Sequence, residues 1–189
     1  FAAPFDLDRL EVTGAPVPAL EGVASNATIG GAQFSVSSTG TLVYLPGAST
    51  SGGNQAPIHW MDRAGKTTPL RAMPANWGSP RFSPDGRRLA LTIGDGTQQD
   101  IWVHEWERDT FSRLTFDSTA EVKAVWTPDG RRIAFASNRS GSGTAGGGVG
   151  NLYWQRADGT GEIQRLTESP IAQLPDSWHP NGKFLAFHE

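Results

Sequence analysis

Cysteine is absent from the 189 residues, so disulfides and thiol chemistry are excluded and the redox compartment cannot be read from them. Basic runs are missing too. The formal charge is −3, and nothing exceeds the pairs Arg87-Arg88 and Arg131-Arg132, so no nucleic acid partner is expected. No apolar stretch approaches the ~18 residues of a membrane-spanning helix, so membrane insertion is not expected. The opening "FAAPFDLDRL" has no basic n-region, so a signal peptide is expected to be either absent or already removed. An apolar 3.6-residue period is also lacking, which argues against helical repeats. Hydrophobic residues at 37% and charges of both signs at 19% still fit a folded chain with a core of its own.

What is present is repetition. "RFSPDGRRLALT" (81–92) returns as "VWTPDGRRIAFA" (125–136) and as "SWHPNGKFLAFH" (177–188), and a weaker copy, "FSVSSTGTLVYL" (34–45), precedes them. In "SPDG" the proline presets φ for a type I turn, Asp85 or Asp129 can bond the backbone two residues on, and Gly86 or Gly130 can take the left-handed conformation that follows. Asn181-Gly182 supplies the same chemistry in the last copy. These are signals of a short β-hairpin. The runs after the turn, "RRLALT" and "RRIAFA", are apolar on both faces, as strands covered on both sides require.

The turn glycines Gly40, Gly86, Gly130 and Gly182 lie 46, 44 and 52 residues apart, the longest interval holding the insertion "SGSGTAGGGVG" (140–150). A period in the mid-forties with strand punctuation fits one four-stranded propeller blade per repeat. Two further strands complete each unit: "PIHWMDR" and "TTPLR", "DIWVHEW" and "FSRLT", "NLYWQRA" and "IQRLT". The expected fold is all-β, a propeller of antiparallel blades with strands A to D. Blades are expected at 34–71, 77–115 and 122–167. A half-blade of C and D strands is expected at 1–23 and one of A and B strands at 174–189. Three blades and two halves amount to about four blades' worth of strands. That predicts a piece of a larger propeller, or half-blades that close a ring within one chain or between two, with association between chains favoured.

The combination "SPDGRRLAL", "FASNRSG" and "RLT" resembles the TolB-type subclass of WD-like β-propeller repeats, over nearly the whole chain. The resemblance implies a fold more than an activity. Such proteins occur as periplasmic partner-binding proteins, as propeller domains preceding prolyl-oligopeptidase-like hydrolases, and as sensor regions of bacterial Ser/Thr kinases. Residues 4–23 resemble the kinase-associated form most closely. A periplasmic or extracellular location follows from the resemblance alone.

Catalytic templates fail one by one. The nearest approach to a nucleophile elbow, "GASTS" (47–51), ends in Ser. "HEWER" (104–108) lacks the second His of a zinc helix and sits on a strand, and the four histidines are scattered, so no metal is expected. "GTAGGGVG" (143–150) lacks the Gly-Lys-Ser/Thr ending of a phosphate loop, and "GDGTQQD" (94–100) has too few oxygen ligands for calcium. No cofactor is expected. Enzymatic activity stays open, since Ser, His and Asp could still be gathered from different blades. Of seven tryptophans, Trp126 and Trp178 take the strand A place of Phe82, while Trp60, Trp102 and Trp154 recur on strand C, a pattern of blade-to-blade packing.

The expected function is non-catalytic binding of a protein or peptide, or of a small ligand. The alternatives are a substrate-filtering domain of a serine hydrolase and a hydrolase in its own right. Alternation of strands puts the short A–B and C–D turns on one face and the irregular B–C and D–A connections on the other, where recognition is expected. Contacts are expected from Trp77, which precedes a strand A, with Glu121, Lys123, Gln173 and Asp176. Asp85, Gly86, Asp129, Gly130, Asn181 and Gly182 are assigned to turns.

Overall fold

The repeated turns fold alike because each closes on its own side chains. Asp85 Oδ1 accepts from the Ser83 hydroxyl (2.5 Å) and the Arg87 amide (3.0 Å). Asp129 Oδ1 does the same with Thr127 (2.6 Å) and Arg131 (3.0 Å). The hydroxyl of Ser83 or Thr127 also accepts from the amide of Arg88 or Arg132. Gly86 and Gly130 sit at φ 69° and 65°, a conformation costly for any residue with a Cβ. In the last copy Lys183 N donates to Asn181 Oδ1 (2.9 Å) and Gly182 stands at φ 70°.

The computed structural model describes residues 1–26, 31–47, 56–94, 98–117, 119–139 and 150–189, and among them every regular element is a β-strand. Two short hairpins come first, β1 (Phe5–Asp6) with β2 (Glu11–Val12) and β3 (Ser25–Asn26) with β4 (Gly31–Ala32). Blade one follows with β5 (Phe34–Val36), β6 (Leu42–Tyr44), β7 (Ala56–Met61) and the start of β8 (Thr67–Phe82). Blade two takes the rest of β8, then β9 (Arg88–Gly94), β10 (Gln99–Glu105) and β11 (Thr110–Arg113). Blade three is β12 (Glu121–Trp126), β13 (Arg132–Ser137), β14 (Asn151–Arg156) and β15 (Gln164–Arg165), and β16 (Leu174–Trp178) pairs with β17 (Leu185–His188). All pairings are antiparallel. Residues 1–20 and 177–188 do not pair with each other: among the described residues β1 pairs with β2 and β16 with β17.

Two features depart from the sequence reading. The D strand of blade one and the A strand of blade two are one continuous strand, which pairs with β7 through Ala75 and with β9 from Asn76 onward. Trp77 therefore lies inside a strand, opposite Ile93, rather than before one. A strand can serve both blades without a turn because successive backbone groups find partners on each side in succession. The strand C tryptophans also share a strand type but not all one register. Trp60 stands opposite Val43, Trp102 opposite Leu91 and Trp154 opposite Ala134, which are three, five and four residues beyond the turn glycines of their repeats. The blade-one turn is one residue shorter, Ser37 N bonding Thr41 O where Ser83 N bonds Arg88 O, so Trp60 and Trp154 match and Trp102 is the one on the other face, because side chains alternate.

The core lies between blades. Val43, Leu45 and Ile58 of blade one meet Leu89 and Leu91 of blade two. Ala90, Ile101, Val103 and Leu114 leave the other face of blade two and meet Ala124, Trp126, Ile133, Phe135 and Tyr153 of blade three. Strand B is apolar throughout because both of its faces are covered. The "RLT" motif closes each outer strand: Thr115 Oγ1 accepts from Ile101 N and Thr167 Oγ1 from Leu152 N (both 3.0 Å). Arg113 and Arg165 each donate through Nε to the carbonyl two residues on, and they reach the strand C residues Asp100 and Asn151 respectively.

Candidate functional site

The A strands of successive blades lie side by side, and where three of them run into their turns they leave a groove of about 320 Å³. Each repeat contributes its last strand residues and its turn proline: Arg81, Phe82 and Pro84; Val125, Trp126 and Pro128; Ser177, Trp178 and Pro180, with Asp176 added. Aromatic and proline surfaces form the walls. Trp126 is fixed by donating Nε1–H to Arg81 O (3.0 Å) and by the Arg88 guanidinium lying 4.6 Å over its ring. Trp178 stacks on Trp154 at 6.1 Å, and its indole N–H is buried without a hydrogen-bond partner among the described residues.

One charge of each sign borders the groove. Arg81 holds the place of Val125 and Ser177 in the other repeats, and Nη1 donates to Pro80 O (2.9 Å). Burial lowers its pKa, and the Asp176 carboxylate acts in the opposite direction. Asp176 is exposed and accepts a hydrogen bond from His188 Nδ1 at 2.8 Å. That His–carboxylate pair is half of a nucleophile-activating arrangement, but no hydroxyl hydrogen-bonds the ring among the described residues. No group of three His, Cys, Asp or Glu side chains could hold a metal ion among the described residues.

Trp77, Glu121 and Gln173 turn out to hold one place in three repeats, nine residues before the turn glycine. They share a peculiarity: Trp77 Nε1, Glu121 Oε2 and Gln173 Oε1 are all buried polar atoms without a partner among the described residues. The structure does not bring them into one cavity. Trp77 packs edge-on to Phe111 (5.8 Å) at the interface of blades one and two. Glu121 is fully buried; its Oε1 accepts from Thr119 and Ser137 (2.9 Å each) and from Arg139 Nη2 (3.2 Å). Gln173 donates to Glu189 Oε1 (2.7 Å). Lys123 is half-buried in a β-bulge at φ 60°, a strained conformation for lysine, and Ser79 repeats that conformation at the same place in blade two (φ 48°). Of the five expected residues only Asp176 lines the groove. Residues 95–97, 118 and 140–149, in the loops expected to carry recognition, lie outside the described residues, as does most of "GASTS".

Sequence reasoning missed Trp126 and Trp178 as groove residues because their repetition explained them as packing, and it passed over Arg81. The available signal was the exception within the repeat, an arginine where the other copies carry Val and Ser.

The same arrangement of blades is found in known proteins. Tol-Pal system protein TolB from Anaeromyxobacter dehalogenans (strain 2CP-C) is 38% identical over 100 residues, 53% of this chain and 21% of the relative. YuxL of Bacillus subtilis (strain 168), described as an uncharacterized peptidase, is 29% identical over 112 residues, 56% of this chain and 16% of the relative. The chain thus spans about a fifth or less of the length of these curated relatives. The crystal structure of TolB from Acinetobacter baumannii superposes with a TM-score of 0.66 at 24% identity, over 83% of this chain and 37% of that one. Residues 50–189 match PD40, the TolB beta propeller domain. The chain belongs to the TolB beta propeller domain family.

Proposed function

We propose that this propeller is a non-catalytic recognition module that binds a protein or peptide partner. The observation that carries the reading is the groove between the A strands, whose aromatic and proline walls lie between Arg81 and Asp176. An extended peptide suits such a surface: its side chains pack on Trp178, Phe82 and the turn prolines, and its charges or amides meet Asp176 and Arg81. The likeness to a Tol-Pal system protein supports a protein partner.

The face of the B–C and D–A connections is the second contact surface we propose, with Trp77, Glu121, Lys123 and Gln173. It is favoured by Lys123, whose left-handed backbone is retained in a bulge although glycine would relieve it. The likeness to a peptidase supports a different role, a propeller that filters substrate for hydrolytic residues outside these blades.

Selection of displayed random peptides on the folded protein tests the reading. Selected peptides should lose binding to the double variant Asp176→Ala, Trp178→Ala and keep it with Lys123→Ala. The reverse pattern would move recognition to the opposite face. If selection yields no binder, the peptide reading is wrong.

A further inference from the structure

Blades two and three differ at one corner where their turns otherwise match. In blade two Trp106 N donates to Arg87 O, and in blade three Ala157 N donates to Arg131 O, so the two residues hold one place. The Trp106 indole fills its corner: Nε1 donates to Gly86 O at 2.8 Å, and the ring meets Trp60, Phe82 and His104 edge-on at 4.9, 5.8 and 5.2 Å. Blade three has alanine there, buried in the core, and a polar cleft of about 460 Å³ lies beside Gly130, the counterpart of Gly86.

Arginines occupy the rim of that cleft. Arg88 crosses from blade two and takes over the bond that the indole makes in blade two, donating Nη2–H to Gly130 O at 2.7 Å. Its face rests on Trp126, so the guanidinium is held in position. In blade two Arg87 reaches the C–D turn carboxylate Glu107 at 3.7 Å. In blade three the corresponding acid, Asp158, is drawn away to Arg156, which also donates to Thr160. Arg131, the counterpart of Arg87, therefore closes no ion pair among the described residues. The remaining acid is Asp129, whose Oδ1 is occupied by Thr127 and the Arg131 amide.

We propose that this cleft binds a single oxyanionic group, carboxylate or phosphate, between Arg88 and Arg131. Two guanidiniums, one preset by stacking and one outside any ion pair among the described residues, offer forked donors that match planar or tetrahedral oxyanions. This site is separate from the peptide groove, although both involve residues of the same turns.

The test is a nuclear magnetic resonance titration of the folded chain at fixed ionic strength, reading the Arg side-chain Nε–Hε signals, with inorganic phosphate in one series and acetate in another. Saturable shifts at Arg88 and Arg131 are expected, and the anion that binds more tightly identifies the source chemistry. Arg131→Gln, at an exposed position, should weaken binding by about tenfold, as loss of a charged hydrogen bond implies. Shifts no larger than those given by chloride, or an Arg131→Gln titration that matches the parent protein, would overturn the proposal.

Discussion

Blade three and the last hairpin begin with the same turn and nearly the same strand, yet only one is buried. In β13 every residue from Ile133 to Ser137 is buried, and Phe135 is fully enclosed. In β17, from the matching motif, Leu185 is half-buried and Ala186, Phe187 and His188 are exposed, with Phe187 at 41%. Phe135 and Phe187 each stand five residues after their turn glycine. Local sequence decides that a hairpin forms; neighbours on either side decide what its side chains contribute. β13 lies between β12 and β14 and faces blade two, whereas β17 pairs only with β16 among the described residues.

The sharpest break of this comparison is a matched truncation. Phe135→Ala removes a ring from the shared core of blades two and three and should cost about 3–5 kcal/mol. Phe187→Ala should cost well under about 1 kcal/mol, the range of surface changes. Urea denaturation of both variants measures the gap. Equal losses would mean that β17 is covered in solution by something beyond these strands.

The turn glycines sharpen the same point on a smaller scale. Gly130→Ala and Gly182→Ala both force a Cβ into left-handed backbone, at about 1–2 kcal/mol each. At Gly130 the added Cβ also meets Arg88 Nη2 at 3.4 Å, while at Gly182 nothing lies within 4 Å. Gly130→Ala should therefore be the more destabilising of the two in the same denaturation assay. It should also disturb the Arg88 bond to Gly130 O, visible as a changed Arg88 side-chain resonance.

Much of this fold was legible because repetition exposes turn chemistry. "SPDG" implied its own hydrogen bonds, the glycine spacing implied the blade, and "RLT" marked the closing strand that its threonine and arginine hold. The continuous strand β8 was not legible, since residues 72–76 read as a connection and no turn residue was needed for the chain to leave one blade and enter the next. The register of Trp60, Trp102 and Trp154 was hidden for another reason. B–C connections differ in length between repeats, so counting from the turn does not align the C strands. The groove was legible only in part. Asp176 was expected as a contact, but on the face of the B–C and D–A connections, and aromatic residues that both pack blades and border a groove have one sequence signature for two roles.

The smallest expected effect concerns charge. Asp129 and Asn181 occupy the same turn position, one titratable and one not. The Thr127 hydroxyl, then the Arg131 amide, hold the Asp129 carboxyl below its ordinary pKa against desolvation, and the nearby Arg131 and Arg132 charges add a lesser effect in the same direction. A depressed folded-state pKa means that the ionised form favours folding. That contribution is complete above the unfolded-state value near ~4 and is lost as pH falls through the folded-state value below it. Asp129→Asn keeps the shape and an acceptor, as Asn181 does, but removes the titration. At neutral pH the variant should be slightly less stable than the parent, and the difference should shrink as pH drops below about 4. At Asp85 desolvation is the largest single effect and raises the pKa, but the Ser83 hydroxyl, the Arg87 amide and the Arg88 and Arg87 charges together outweigh it and hold the carboxyl low, and it remains in both proteins. Both will therefore lose stability in acid, and the informative quantity is the difference between them. Paired urea titrations across pH 3 to 7 measure it. A difference that stays constant with pH would show that Asp129 acts by shape alone, as the asparagine of the last turn does.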